Sequence, residues 1–115
     1  MPLTELINAF NAKYSELGQF ELYTWNRFVQ SQQEIPEAQL KEEQGIKCEV
    51  SDVDLVLVYD FSDDVLSDEE REVFAQDYYA FWDKVRELTA TLPQLVDNDG
   101  SGGGLYYGIC IYKCI

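Results

Sequence analysis

Carboxylates are the side chains with which this chain could do chemistry. Asp52, Asp54, Asp60, Asp63, Asp64, Asp68, Glu69 and Glu70 fall close together in the sequence. Such groups can exchange protons, ligate a cation or present a negative field to a basic partner. Proton chemistry is the weakest of the three. The chain has no histidine, so Ser–His and Cys–His pairs are missing, and with them the common general base near neutral pH. With 22 acids in 115 residues, carboxylate pairs arise by chance, and pairing alone marks no catalytic site. The expectation is a protein that is not an enzyme.

Cation and anion sites fare little better. In the loop Asp97-Asn98-Asp99-Gly100-Ser101-Gly102-Gly103-Gly104, Leu95 stands where a calcium-binding loop needs its first ligand, and no glutamate closes the pattern. As a phosphate cradle the same stretch lacks both GxGxxG and a Lys-Ser/Thr pair, and its aspartates would repel phosphate. Cys48, Cys110 and Cys114 match no zinc spacing, and no metal or cofactor is expected. An odd cysteine number, with Cys110 and Cys114 too far apart along one strand to join, reads as buried free thiols in a reduced cytoplasm. The N-terminus has no basic region followed by an apolar run, and no segment is apolar enough to span a membrane.

The negative field remains. Net charge is −14, and fourteen of the acids lie between Glu34 and Glu72 with only Lys41, Lys47 and Arg71 among them. Such a field attracts basic partners and repels nucleic acid and anionic membrane. Tyr23, Trp25, Tyr106, Tyr107 and Tyr112 would suit a base-stacking platform, but eight bases form no basic patch, so these aromatics read as core and sheet-face residues.

Several elements must position the acids. Leu3, Leu6, Ile7, Phe10, Tyr14 and Leu17 predict an amphipathic helix over 3–17. Residues 19–29, rich in aromatic and β-branched types, predict a strand. Pro36 opens a short helix ending near Gln44, with Gly45 as its stop. Residues 46–61 carry the strongest alternation, either as a hairpin at Ser51-Asp52 or as one bulged strand. Leu55, Leu57, Tyr59 and Phe61 share one face there, and Asp54, Val56, Val58 and Asp60 the other. Ser67 and Glu70 form a capping box that starts a long helix over 68–91, with Phe74, Tyr78, Phe81, Trp82, Val85 and Leu88 on its apolar side. Residues 97–104 predict a mobile loop, and the apolar end, 105–113, a central strand. A right-handed crossover through the long helix follows if strands 53–61 and 105–113 are parallel.

The fold class expected is α+β in one domain: a single small sheet of three to four strands packed by an N-terminal helix and one long amphipathic helix. The function expected is a small acidic, non-enzymatic inhibitor that binds a basic partner and occludes its nucleic-acid-binding surface, as a mimic of nucleic acid. The partner would be a nuclease or another nucleic-acid-binding protein. Its contacts would be Asp52, Asp54, Asp60, Asp63, Asp64, Asp68, Glu69 and Glu70, with Tyr59 or Tyr79 as an aromatic anchor. The alternative is a homo-oligomeric or small-ligand-binding module, such as a homodimer through the apolar sheet face, in which the acids only aid solubility. In size, charge and strand–helix–strand layout the chain is similar to small acidic inhibitors, including bacterial toxin-immunity proteins and phage anti-restriction or anti-CRISPR proteins. The resemblance implies inhibition of a partner and assigns no residue a role.

Overall fold

The computed structural model describes residues 2–114. In chain order the elements are α1 (Pro2–Lys13), β1 (Gly18–Thr24), α2 (Trp25–Ser31), α3 (Glu37–Glu43), β2 (Leu55–Ser62), α4 (Asp68–Leu88), β3 (Gln94–Asp99) and β4 (Leu105–Tyr112). The four strands form one antiparallel sheet in the order β1-β2-β4-β3. This is an α+β fold with an N-terminal helix and one long helix, as the sequence predicts. The apolar end strand, β4, is central as expected. It runs antiparallel to β2, so the crossover rule for parallel strands does not apply.

Alternation on β2 sends its side chains to two separate cores. Leu55, Leu57, Tyr59 and Phe61 pack under α1 and α4 with Phe10, Phe20, Phe74 and Phe81. Phe20 stacks on Phe81 at 4.0 Å between centroids, while Phe10 meets Phe61 edge-on at 5.4 Å. Offset stacks and edge contacts both suit the ring quadrupole and add to the area buried. Val56 and Val58 point the other way, toward Trp25, Phe28, Leu40 and Ile111. The sheet is therefore apolar on both faces along Leu55–Tyr59 of β2 and Ile109–Tyr112 of β4, which explains the hydrophobic runs there.

Three segments differ from expectation. The strand predicted over 19–29 ends at Thr24, whose hydroxyl accepts from the Arg27 N–H and caps α2. Trp25 and Phe28 lie one helical turn apart and face the second core together, a spacing masked by the β-favouring composition. Residues 46–54 form no strand. Lys47, Cys48 and Glu49 are all exposed, so the alternation lapses, and a turn closes through the Asp54 N–H on the Ser51 carbonyl (3.1 Å). Finally, the mobile loop predicted over 97–104 contributes Asp97–Asp99 to β3. Smaller shifts affect three helices. α1 stops at Lys13, Pro36 is the N-cap of α3 rather than its first residue, and α4 stops at Leu88. Among the cysteines only Cys110 is buried; Cys114 is half-buried, and Cys48 is exposed because it lies outside any strand.

Candidate partner-binding surface

The eight carboxylates do not form one ridge. Asp52 lies in the turn before β2, whereas Asp63, Asp64 and the start of α4 follow its far end. An eight-residue strand separates these groups by roughly 23 Å. Asp60, Asp64, Asp68, Glu69 and Glu70 are exposed at or near that far end. Asp52 is exposed at the other.

Asp54 and Asp63 are not surface residues at all, which removes them from the expected contact set. Asp54 is fully buried. Its carboxylate accepts from the Ser51 N–H and hydroxyl, both at 2.9 Å, and from the Cys114 N–H at 3.0 Å, with the Lys113 ammonium 3.7 Å away. Burial alone would raise its pKa, but the Cys114 and Ser51 donors and Lys113 together hold it below the ordinary carboxylate value. Asp54 thus ties the entry to β2 to the end of β4. Asp63, 6% exposed, accepts from the Tyr106 hydroxyl at 3.3 Å and lies 3.8 Å from the Arg71 guanidinium. Its backbone N–H donates to the Gly104 carbonyl. Gly104 has φ +86°, and a Cβ there would meet the carboxylates of Asp63 and Asp64 within 3 Å, so the glycine-rich hairpin loop is moulded to them.

At the start of α4 the expected capping box is present. The Ser67 hydroxyl accepts from the Glu70 N–H at 3.2 Å, and Glu70 accepts from the Ser67 N–H at 3.0 Å. Those Ser67 hydrogen bonds lower the Glu70 pKa. Glu70 therefore already has a structural role, while Asp64 and Glu69 have no ion-pair partner within 4.0 Å among the described residues. Asp68 lies 3.6 Å from Arg71. Six of the eight bases, Lys13, Lys41, Arg71, Lys84, Arg86 and Lys113, are occupied in ion pairs, leaving most of the 22 acids uncompensated.

Asp60 opens onto a feature that the sequence did not disclose. On the α2–α3 side of the sheet lies an open trough of about 1230 Å³, lined by Phe28, Glu42, Glu43, Asp60, Leu105 and Tyr107 among others. Leu105 is 43% exposed and Tyr107 44%, so apolar surface sits between carboxylates. Of the expected anchors, Tyr79 is exposed but Tyr59 is buried in the first core. Tyr107, by sequence a core or sheet-face residue, is exposed because α2 and α3 stop short of that end of the sheet. Trp25 and Tyr112 are buried as expected, while Tyr23 and Tyr106 are half-buried.

The β3 acids do not gather as ligands for a metal ion. Asn98 faces the trough side, where its amide donates to the Gln44 carbonyl and side chain at 3.1 and 2.9 Å. Asp97 and Asp99 face the opposite side, as alternation along a strand requires. Among the described residues no three of Cys, Asp and Glu are gathered as metal ligands. No described helix is long and apolar enough to cross a membrane. No protein-family profile, curated protein or solved structure matches this chain.

Proposed function

We propose that this protein binds a basic partner and occludes its nucleic-acid-binding surface, acting without catalysis of its own. One observation carries the reading: exposed carboxylates, Asp60, Asp64 and Glu69 without an ion-pair partner among the described residues and Asp68 paired only with Arg71, lie at or near the end of the sheet where a trough exposes Leu105 and Tyr107. Interfaces of this kind use charge to steer encounter and apolar anchors to hold the complex. A nucleic-acid-binding groove is the complementary surface, because it is built to neutralise closely spaced negative charge. The partner is then a nuclease or another nucleic-acid-binding protein, and inhibition is steric and electrostatic.

The test is capture of partners from host lysate on the immobilised protein, with release by duplex DNA and by salt. The expected result is one basic nucleic-acid-binding protein, displaced by DNA and by rising salt. Its affinity should fall at least about tenfold when Asp60, Asp64, Asp68 and Glu69 are all changed to Lys. Those four side chains are exposed, and the Asp68–Arg71 contact is a surface pair whose loss costs little, so the variant should fold, as a thermal melt checks. Undiminished affinity in that variant, or recovery only of further copies of the chain regardless of salt, would refute the proposal.

A further inference from the structure

A second cavity lies on the α4 side of the sheet and meets the trough at Tyr59, Asp97 and Asp99. It occupies about 300 Å³ between the C-terminal half of α4 and the edge of the sheet at β3 and β4. Tyr78, Tyr79 and Trp82 come from the helix, Tyr59 and Tyr112 from the sheet, and Asp97 and Asp99 from β3. Tyr59 and Trp82 are 5.2 Å apart between centroids and Tyr78 and Trp82 6.2 Å, so the rings form a continuous aromatic wall. Gly108 is what lets Tyr59 reach this place. A Cβ there would meet the Tyr59 hydroxyl at 2.6 Å.

The polar groups of the slot are unusual for a core. Tyr14, Tyr23 and Tyr106 each direct their hydroxyl to a carboxylate elsewhere in the fold. Tyr59, Tyr78 and Tyr112 are at least nine-tenths buried and direct theirs to none. The Tyr59 and Tyr78 hydroxyls lie within hydrogen-bonding reach of each other, and that of Tyr112 within reach of Thr89 and Cys110, all on the lining of the slot. Asp97 and Asp99, two residues apart on one strand face, stand roughly 6.6 Å from each other along the edge. Cys110 leans on Asp97 at 3.6 Å. The field of these aspartates is felt inside the slot. Burial and the Asp97 charge push the Cys110 thiol up to about 12, and burial together with the Tyr78 and Asp99 charges raises Tyr59. Arg86 also lines the slot, with its guanidinium paired to the exposed Asp83 at 2.8 Å.

We infer that this slot receives the guanidinium of an arginine side chain carried by a polypeptide partner. Ring faces attract a cation, and either aspartate can accept two parallel N–H bonds from a planar one. Asp97 and Asp99 outnumber Arg86 in the lining and favour a cation over an anion, and a purely apolar ligand would strip water from the carboxylate oxygens that Ser101 and Cys110 leave open. Guanidinium suits the slot better than ammonium because it stacks on aromatic faces and gives up its hydration more readily. The peptide source follows from position: the slot opens at β3, an edge strand whose outer backbone groups are unpaired within the sheet. The inference rests on the proposal that the partner is basic, but concerns a different face.

The intact protein is titrated at low salt with capped Gly-Arg-Gly, with its lysine and norleucine counterparts, and with methylguanidinium, and followed by amide and indole NMR. The expected result is saturable shifts at Trp82 and along β3 with the arginine peptide. Binding should be about tenfold weaker with lysine and absent with norleucine. Methylguanidinium should bind at the same site but more weakly than the peptide. Asp97→Asn with Asp99→Asn should abolish the shifts, and so should Trp82→Leu, with the rest of the spectrum unmoved. Equal binding of norleucine, equal binding of methylguanidinium, persistence in the double Asn variant, or no saturable shift would each overturn the assignment. The Lys substitutions at Asp60, Asp64, Asp68 and Glu69 leave the slot intact, so failure of the occlusion reading is scored separately.

Discussion

On one face of the sheet, α1 and α4 close over Phe20, Leu57, Tyr59 and Phe61; on the other, α2 and α3 cover Val56 and Ile111 but leave Asp60, Leu105 and Tyr107 beside an open trough. The strands alternate in the same way toward both. Helix length makes the difference. The 21 residues of α4 extend roughly 31 Å, whereas the seven residues each of α2 and α3 reach only about 10 Å. The acids divide with the packing. Asp54 and Asp63, enclosed by chain on several sides, have donors for their oxygens; Asp60 and Asp64, on open surface, are free to meet another molecule. Burial thus sorts structural from available carboxylates where composition cannot.

Core truncation tests the contrast between the faces most severely. Phe81→Ala should cost about 3–5 kcal/mol, because nothing refills a hole in a closed aromatic core. Phe28→Ala, beside the trough, should cost about half as much, since water and neighbouring side chains can enter. Urea unfolding of the two variants decides the matter, and equal losses would break the comparison.

The contrast between acids is sharpened next. Asp54→Ala should cost about 2–3 kcal/mol, because it leaves the Ser51 and Cys114 N–H groups without acceptors, while Asp60→Ala should stay within about 0.5 kcal/mol. The pH dependence has a definite sign. The Asp54 pKa is lower in the folded protein, so its contribution is complete above the ordinary carboxylate value and is lost as pH falls through the folded one. The gap in Tm between the native chain and Asp54→Ala should therefore be full at pH 7 and close below about pH 4. A gap that persists in acid would mean the side chain acts by shape alone.

The smallest effect belongs to the helix that closes the first face. Ser67→Ala should cost about 1 kcal/mol by removing the capping box of α4. Thermal melts read it, and a loss near zero would mean that aromatic packing alone holds the start of α4 in place.

Much of the layout was legible in the residues. The capping box and the run from Phe74 to Val85 marked α4, and the apolar end of the chain marked a central strand, since both signals are local. β3 was hidden because Asp97, Asn98 and Asp99 resemble loop, although on an exposed edge strand acids are tolerated and discourage further pairing. α2 was hidden because Trp25, Phe28 and Val29 favour strands by type while their spacing fits a helix. The candidate surface was legible only as charge: Asp60, Asp64, Asp68, Glu69 and Glu70 are indeed exposed, but nothing in the order of residues set Asp54 and Asp63 apart from them.

The sequence by itself determined the α+β class, the long amphipathic helix, the central apolar strand and the excess of negative charge, because each depends on composition or on spacing within one element. The tertiary structure decided which acids are enclosed by donors, where the trough exposes Leu105 and Tyr107, and that tyrosines from β2, β4 and α4 meet Asp97 and Asp99 in one slot. These depend on contacts between residues far apart in the chain, and burial and electrostatic environment are properties of such contacts rather than of residue order.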